Sequence, residues 1–226
     1  MLALTGRAPW LRWSVVIALA LFALLIILNL AGYPALARDP QLPVYLIILS
    51  LVVACYLALA LWWTGLSTLM PALRWGSFCG LGAGLGWVIE IVTGNLAVGQ
   101  AWQLFAYYGG TLIALALTLV AGIAGAVATR SFRGGLVAGL WCGIVSGVIG
   151  SLTLLLLPRL FLGTLQRDAQ TLAEFARSGA PDLVTYIVGD FSAAATNHLV
   201  IGLLLGLILG ALGSTIGAAV ARTTPR

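Results

Sequence analysis

The sequence predicts an all-α, polytopic integral membrane protein. Its fold is a bundle of six transmembrane helices with both termini in the cytoplasm and one extracytoplasmic amphipathic helix. Three observations predict it. Of 226 residues, 62% are hydrophobic and 8% charged, against about 45–50% and about 25% in a soluble domain. This composition excludes an ordinary soluble domain and a disordered chain. Mean hydropathy is +1.11, and the apolar runs are continuous, whereas β-barrel strands alternate polar and apolar residues. Finally, segments with arginines and no acid alternate with segments in which arginines are matched by acids.

A spanning helix needs about 20 apolar residues, and the runs fit six such helices within one membrane domain over 1–226. The first covers 14–31. A second reading makes it a signal peptide cleaved after Ala37, in Pro34-Ala35-Leu36-Ala37. Against this, the run from Val15 to Ala31 exceeds the usual h-region of about 7–15 residues. The second helix covers 44–63, with Pro43 at its entrance, where proline costs little. The third covers 78–98, about 31 Å at roughly 1.5 Å per residue, matching a hydrocarbon core of about 30 Å. The fourth covers 111–129. The fifth covers 135–157 and is expected to exit at Pro158.

Residues 159–198 read as the one sizeable extracytoplasmic segment. Within it, Arg167, Gln170, Glu174 and Arg177 form a polar stripe, and Leu165, Ala169, Leu172 and Ala176 an apolar one. That spacing predicts an amphipathic helix over about 164–178, lying on the membrane or over the bundle mouth. Gly179 and Pro181 supply its stop signal. Leu183 to Val188 is too short to span; it reads as an interfacial piece, a re-entrant piece or an extension of the sixth helix, which covers 199–220.

All eleven basic residues are Arg. Arg7, Arg12, Arg74, Arg130, Arg133, Arg222 and Arg226 occupy segments without an acid. The alternate segments hold Arg38, Arg159, Arg167 and Arg177 against Asp39, Asp168, Glu174, Asp182 and Asp190. The positive-inside rule then places both termini in the cytoplasm, and the cytoplasmic (plasma) membrane is the expected location. Trp10, Trp13, Trp62, Trp63 and Trp75 fall at the inner interface. Tyr33, Tyr45, Trp102, Tyr107 and Tyr108 fall at the outer one, while Trp87, Trp141 and Tyr56 lie deeper as packing residues. No basic stripe exists to track phosphates, so nucleic acid is not an expected partner despite a pI near 9.6.

Glycines four apart recur in three helices: Gly80 and Gly84, Gly135 and Gly139, and Gly202, Gly206 and Gly210. This spacing puts them on one helix face, where backbones approach closely. Ser77-Phe78 and Ser131-Phe132 precede two of these copies, which raises an internal duplication as a second reading. A nucleotide fingerprint needs a preceding strand, so the glycines are not phosphate cradles. Cys55, Cys79 and Cys142 have neither metal nor redox spacing and read as small apolar fillers. No metal site or cofactor is expected.

Glu90 is the one ionisable residue well inside an apolar run, where a charge costs about 2.5–3.5 kcal/mol. Gly86 and Gly94, one turn to either side, put it on the small-residue face. It is therefore expected to be protonated or water-solvated and either proton- or ligand-linked or engaged in one interhelical hydrogen bond. Asn29 also falls near the outer membrane side, as do Asn95, Asp190, Asn197 and His198. Glu90, Asn95, Asp190, Asn197 and His198 together suggest an outward-facing polar vestibule.

Ser146 in Gly143-Ile144-Val145-Ser146-Gly147, with His198 spaced four residues from Gly202 and eight from Gly206, resembles rhomboid proteases over a short stretch. The resemblance implies Ser146 as nucleophile and His198 as base. Ile144, however, stands where that family has glycine. The helix map also puts Ser146 far in depth from His198, although such a pair must approach within about 3 Å. With one His and six acids, the chain is not expected to be an enzyme. Two functional classes remain: a small-solute transport or solute-binding membrane subunit, and a membrane scaffold, assembly or regulatory subunit. Besides the lipid bilayer, the corresponding partners are a small-molecule ligand or another membrane protein.

Overall fold

In the computed structural model, which describes residues 9–38 and 42–223, six helices are long and apolar enough to cross a membrane. Arg7, Asp39 and Arg226, which entered the charge map, lie outside the described residues. The helices are α1 (Pro9–Gly32), α2 (Leu42–Trp63), α3 (Met70–Leu96), α4 (Gln103–Thr129), α5 (Phe132–Leu165), α6 (Ala169–Ser178) and α7 (Leu183–Thr223). All but α6 are the apolar ones. Short 3-10 turns at Leu36–Arg38 and Ser67–Leu69 lead into α2 and α3.

Several helices outrun their apolar windows. Hydropathy marks only where lipid can be tolerated, whereas a helix continues as long as its backbone groups are paired and its ends capped. Thus α3 begins at Met70 rather than residue 78, and α4 at Gln103 rather than 111. Pro158 is not an exit: it lies inside α5, and the chain leaves helical geometry only at Phe161 (φ −129°, ψ 23°) before closing the helix at Leu165. A proline removes one backbone donor and crowds the preceding turn, which accounts for a kink there.

The expected helix over 164–178 joined two elements. Leu165 ends α5, and α6 starts at Ala169 behind Asp168, whose side chain accepts from the Thr171 amide. Of the readings for Leu183 to Val188, the extension of the sixth helix is the one observed: 183–198, expected as part of the extracytoplasmic segment, is the first part of α7. At about 1.5 Å per residue, α5 and α7 reach about 50 Å and about 60 Å, well beyond a hydrocarbon core of about 30 Å.

Asp182 caps α7. Its carboxylate accepts from the Thr185 amide at 2.8 Å and the Thr185 hydroxyl at 2.7 Å. These bonds, the amide first, hold its carboxyl below the usual aspartate range. A depressed folded value means the cap stabilises fully above the unfolded-state pKa and is lost as pH falls through the folded one. Amide exchange over Leu183–Tyr186, corrected for its intrinsic rate, should therefore accelerate below about pH 4. Asp182→Ala should exchange several-fold faster at neutral pH and lose that acid step. An acid step retained by the variant would show that another group controls this end.

α3, α4, α5 and α7 form the core, with α5 packed on the other three; α1 and α2 flank it more loosely. The close approaches are made by glycine. A Cβ on Gly202 would stand 2.6 Å from the Gly143 carbonyl, and one on Gly206 3.0 Å from that of Gly139. Gly210 meets the Gly139 backbone at 3.0 Å, and Gly135 faces the Gly122 carbonyl and Ser214 hydroxyl at 2.5 Å each. On α3, Gly80 and Gly84 receive Val145 and Ile149 of α5, while Gly86 meets the Gly110 carbonyl of α4 at 2.6 Å. A Cβ on Gly94 would stand 3.2 Å from the Tyr107 ring.

Ser77 and Ser131 are not equivalent, which leaves the duplication without structural support. Ser77 is buried in mid-helix and accepts from Trp141 Nε1 at 2.7 Å. Ser131, by contrast, caps α5 through the Gly134 amide.

Polar bonds tie α1 and α2 to the core. Asn29 donates to Ser192 at 3.0 Å and accepts from Arg159 at 2.7 Å. The Tyr45 hydroxyl bonds the Ser192 carbonyl and accepts from Thr196 at 2.6 Å. The Tyr56 hydroxyl donates to the Leu199 carbonyl at 2.8 Å. Tyr45 thus serves as an interhelical link rather than only an interface residue.

Candidate functional site

The polar residues expected to share one vestibule separate into four places. Asn95 and Asp190 come together at a small cavity of about 90 Å³, where the end of α3, helix α6 and the first turns of α7 converge. Asp168, Thr171, Glu174 and Tyr186 also line it. The Asn95 amide is turned back to the Ile91 carbonyl at 2.7 Å. Glu174 accepts from Gln170 at 2.9 Å and from the Tyr186 hydroxyl at 3.3 Å. Asp168 is committed to Thr171. Asp190 is exposed, and its carboxyl makes no hydrogen bond among the described residues. No Lys or Arg is among the lining side chains.

Glu90 is elsewhere. Its partner is the Tyr107 hydroxyl of α4, and its backbone packs on Gly110. This is the interhelical pairing that an isolated carboxyl in an apolar helix requires. Asn197 is exposed on α7. His198 is buried, with its ring edge-on to Trp87 at 4.8 Å between centroids and packed on Gly150. Its Nε2 has no hydrogen-bond partner.

Ser146 is nearer His198 in depth than the helix map implied. Gly147, the next residue of α5, faces the His198 carbonyl. The reason is that α7 extends well beyond residue 199 and packs antiparallel along α5. The two side chains still do not pair: Ser146 Oγ donates weakly to the Gly143 carbonyl at 3.4 Å, and the imidazole is turned toward Trp87 and Gly150.

Cys142 and Cys79 are buried neighbours across α5 and α3, with Cys142 Sγ 3.6 Å from Thr118 Oγ1. Among the described residues, no group of three or more His, Cys, Asp or Glu is placed to hold a metal ion.

Sequence reasoning missed Glu174, Asp168 and Tyr186 as neighbours of Asp190. They belong to a segment whose fold-back onto α7 is set by two caps and a glycine turn at Gly179 (φ 71°). The signal available was the pair of Asp-x-x-Thr caps, at Asp168 with Thr171 and at Asp182 with Thr185.

Fold and cavity together describe an all-helical, multi-pass membrane bundle with a carboxylate-lined cavity at one end. Comparison with known protein families, curated proteins and solved structures finds no match for this chain.

Proposed function

We propose that this chain is a solute-binding membrane subunit of a transport system, which holds its ligand at the outer end of the bundle and does not conduct it alone. The observation that carries this reading is the cavity beneath α6: it gathers Asn95, Asp190 and Glu174 from three helices at one end. The opposite half of the core is instead closed by glycine backbones in direct contact. A complete transporter needs access from both sides, so a partner would supply the path. Asp168, Glu174 and Asp190, three lining carboxylates without a lining cation, favour a positively charged small solute. In this reading both termini are cytoplasmic, α6 lies outside the membrane as an amphipathic cover, and no chemical step is catalysed.

Native mass spectrometry of protein released gently from its own membrane tests the proposal. A small molecule should be retained by the wild type and lost from Asp190→Asn, while Gly109→Ala keeps it. Asn95→Cys and Asp190→Cys, each in a background lacking Cys55, Cys79 and Cys142, should react with a membrane-impermeant maleimide from the outer side. Dry, unreactive positions would sink the proposal. A retained protein with no small molecule would favour the second reading, a scaffold, assembly or regulatory subunit. That reading draws on the exposed apolar stripe of Phe78, Leu81, Leu85 and Ile89 along α3.

A further inference from the structure

A second cavity lies at the opposite end of the bundle, between the start of α1 and the end of α2. Its volume is about 320 Å³, and Pro9, Arg12, Trp13, Thr64 and Gly65 line it. We propose that Arg12 and Trp13 form a binding site for the phosphate headgroup of an anionic phospholipid, with the Thr64-Gly65 turn, whose own donors are bonded to the Ala60 and Trp62 carbonyls, as its wall.

The charge is one-sided. None of the six Asp and Glu residues falls in a segment at this end, so no acidic side chain competes for Arg12. The Arg12 guanidinium carbon stands 5.4 Å from the centre of the Trp13 ring. That stacking limits the motion of the side chain while leaving its N–H fork free to grip two phosphate oxygens.

The surroundings favour a lipid over a free anion. Trp10 and Trp62 are 63% and 62% exposed, and the indole N–H groups of Trp10 and Trp13 donate to no acceptor among the described residues. Exposed indoles beside a basic side chain mark the headgroup level of a bilayer. One turn deeper on each helix, Ile17 and Leu61 are exposed apolar side chains, positioned for acyl chains to run beside them. Basic pockets between spanning helices bind anionic headgroups by this combination of charge and depth. Arg74, Arg130, Arg133 and Arg222 lie at the same end but do not line this cavity, so Arg12 is the side chain that distinguishes a site from general surface potential. Nothing in this argument depends on the solute reading above.

The test is a native mass spectrometry titration of the full-length protein in detergent with phosphatidylglycerol, with phosphatidylcholine of the same chains and with inorganic phosphate. The wild type should retain one phosphatidylglycerol in preference to phosphatidylcholine. Arg12→Ala should weaken that adduct about fivefold, the effect of one basic side chain near an anionic surface, while Arg133→Ala leaves it unchanged. Gly65→Leu keeps every charge and fills the cavity, so it should remove the adduct as well; this variant decides the matter should Arg12→Ala fail to fold. Equal retention of both lipids, or equal losses for Arg12→Ala and Arg133→Ala, would overturn the proposal. Inorganic phosphate binding as tightly as the lipid would overturn the lipid assignment.

Discussion

Replacing Gly202 with Leu is expected to abolish the folded bundle. A Cβ there would already stand 2.6 Å from the Gly143 carbonyl and 3.0 Å from the Tyr56 hydroxyl. The facing surface is backbone on one side and, on the other, a phenol bonded to the Leu199 carbonyl, so neither can retreat cheaply. Overpacking of this kind costs about 1–3 kcal/mol for small additions. Gly202→Ala should fall in that range, and leucine well beyond it. In a bilayer the loss is not offset by hydrophobic burial, because lipid tails are as apolar as leucine and helix association rests on close packing. The monodisperse fraction in mild detergent, and its thermal transition followed by tryptophan fluorescence, report the effect. Gly109→Ala is the control: nothing lies within 4 Å of its added methyl, and alanine is the better helix former. Equal behaviour of the two alanine variants would refute the packing described between α5 and α7.

Trp141→Ala is expected to cost about 3 kcal/mol. The indole is fully buried (0% exposed) between α5 and α3 and donates to Ser77 at 2.7 Å. Truncating a buried Trp costs about 3–5 kcal/mol in water-soluble cores. The lower end applies because the transfer from water falls away within a membrane, leaving the cavity and the orphaned Ser77 hydroxyl. Trp141→Phe keeps most of the ring and loses the hydrogen bond, so about 1 kcal/mol is expected. Equilibrium unfolding in a mixed-micelle denaturant series measures both. A Trp141→Ala loss no larger than that of Trp141→Phe would show that the space refills and that α3 is not held as described.

Much of the fold is legible residue by residue, because lipid imposes a rule that composition alone can obey. Apolar runs of about 20 residues are readable as helices, since no other single segment pairs its own backbone in hydrocarbon. The glycines four apart are readable as close-packing faces. In α5 the series continues through Gly143 and Gly147, both in contact with α7. The partners of the α4 glycines, Gly110, Gly122 and Gly125, were not readable, because they depend on which helices become neighbours.

The helix ends escaped for a different reason. Hydropathy falls at Pro158 and rises again at Leu199, yet both helices continue. Their extensions are secured by the Asp182 cap and by interhelical bonds, Arg159 to Asn29 and Tyr45 to Ser192 and Thr196.

The grouping of polar residues likewise depended on rotation about each helix axis. Glu90 and His198 fall at similar places along the chain's membrane map. A helix turns about 100° per residue, and depth along the axis says nothing about direction. Only the packing of α3 on α4 turned Glu90 toward Tyr107, and only the packing of α7 on α5 turned His198 into Gly150. The sequence by itself determined an all-helical chain with six apolar spans and glycine faces, because those features follow from local backbone pairing and composition. Tertiary structure decided which faces meet, how far α5 and α7 project, and that Asp190 joins Asn95 and Glu174 at one cavity, because these depend on contacts between residues distant in sequence.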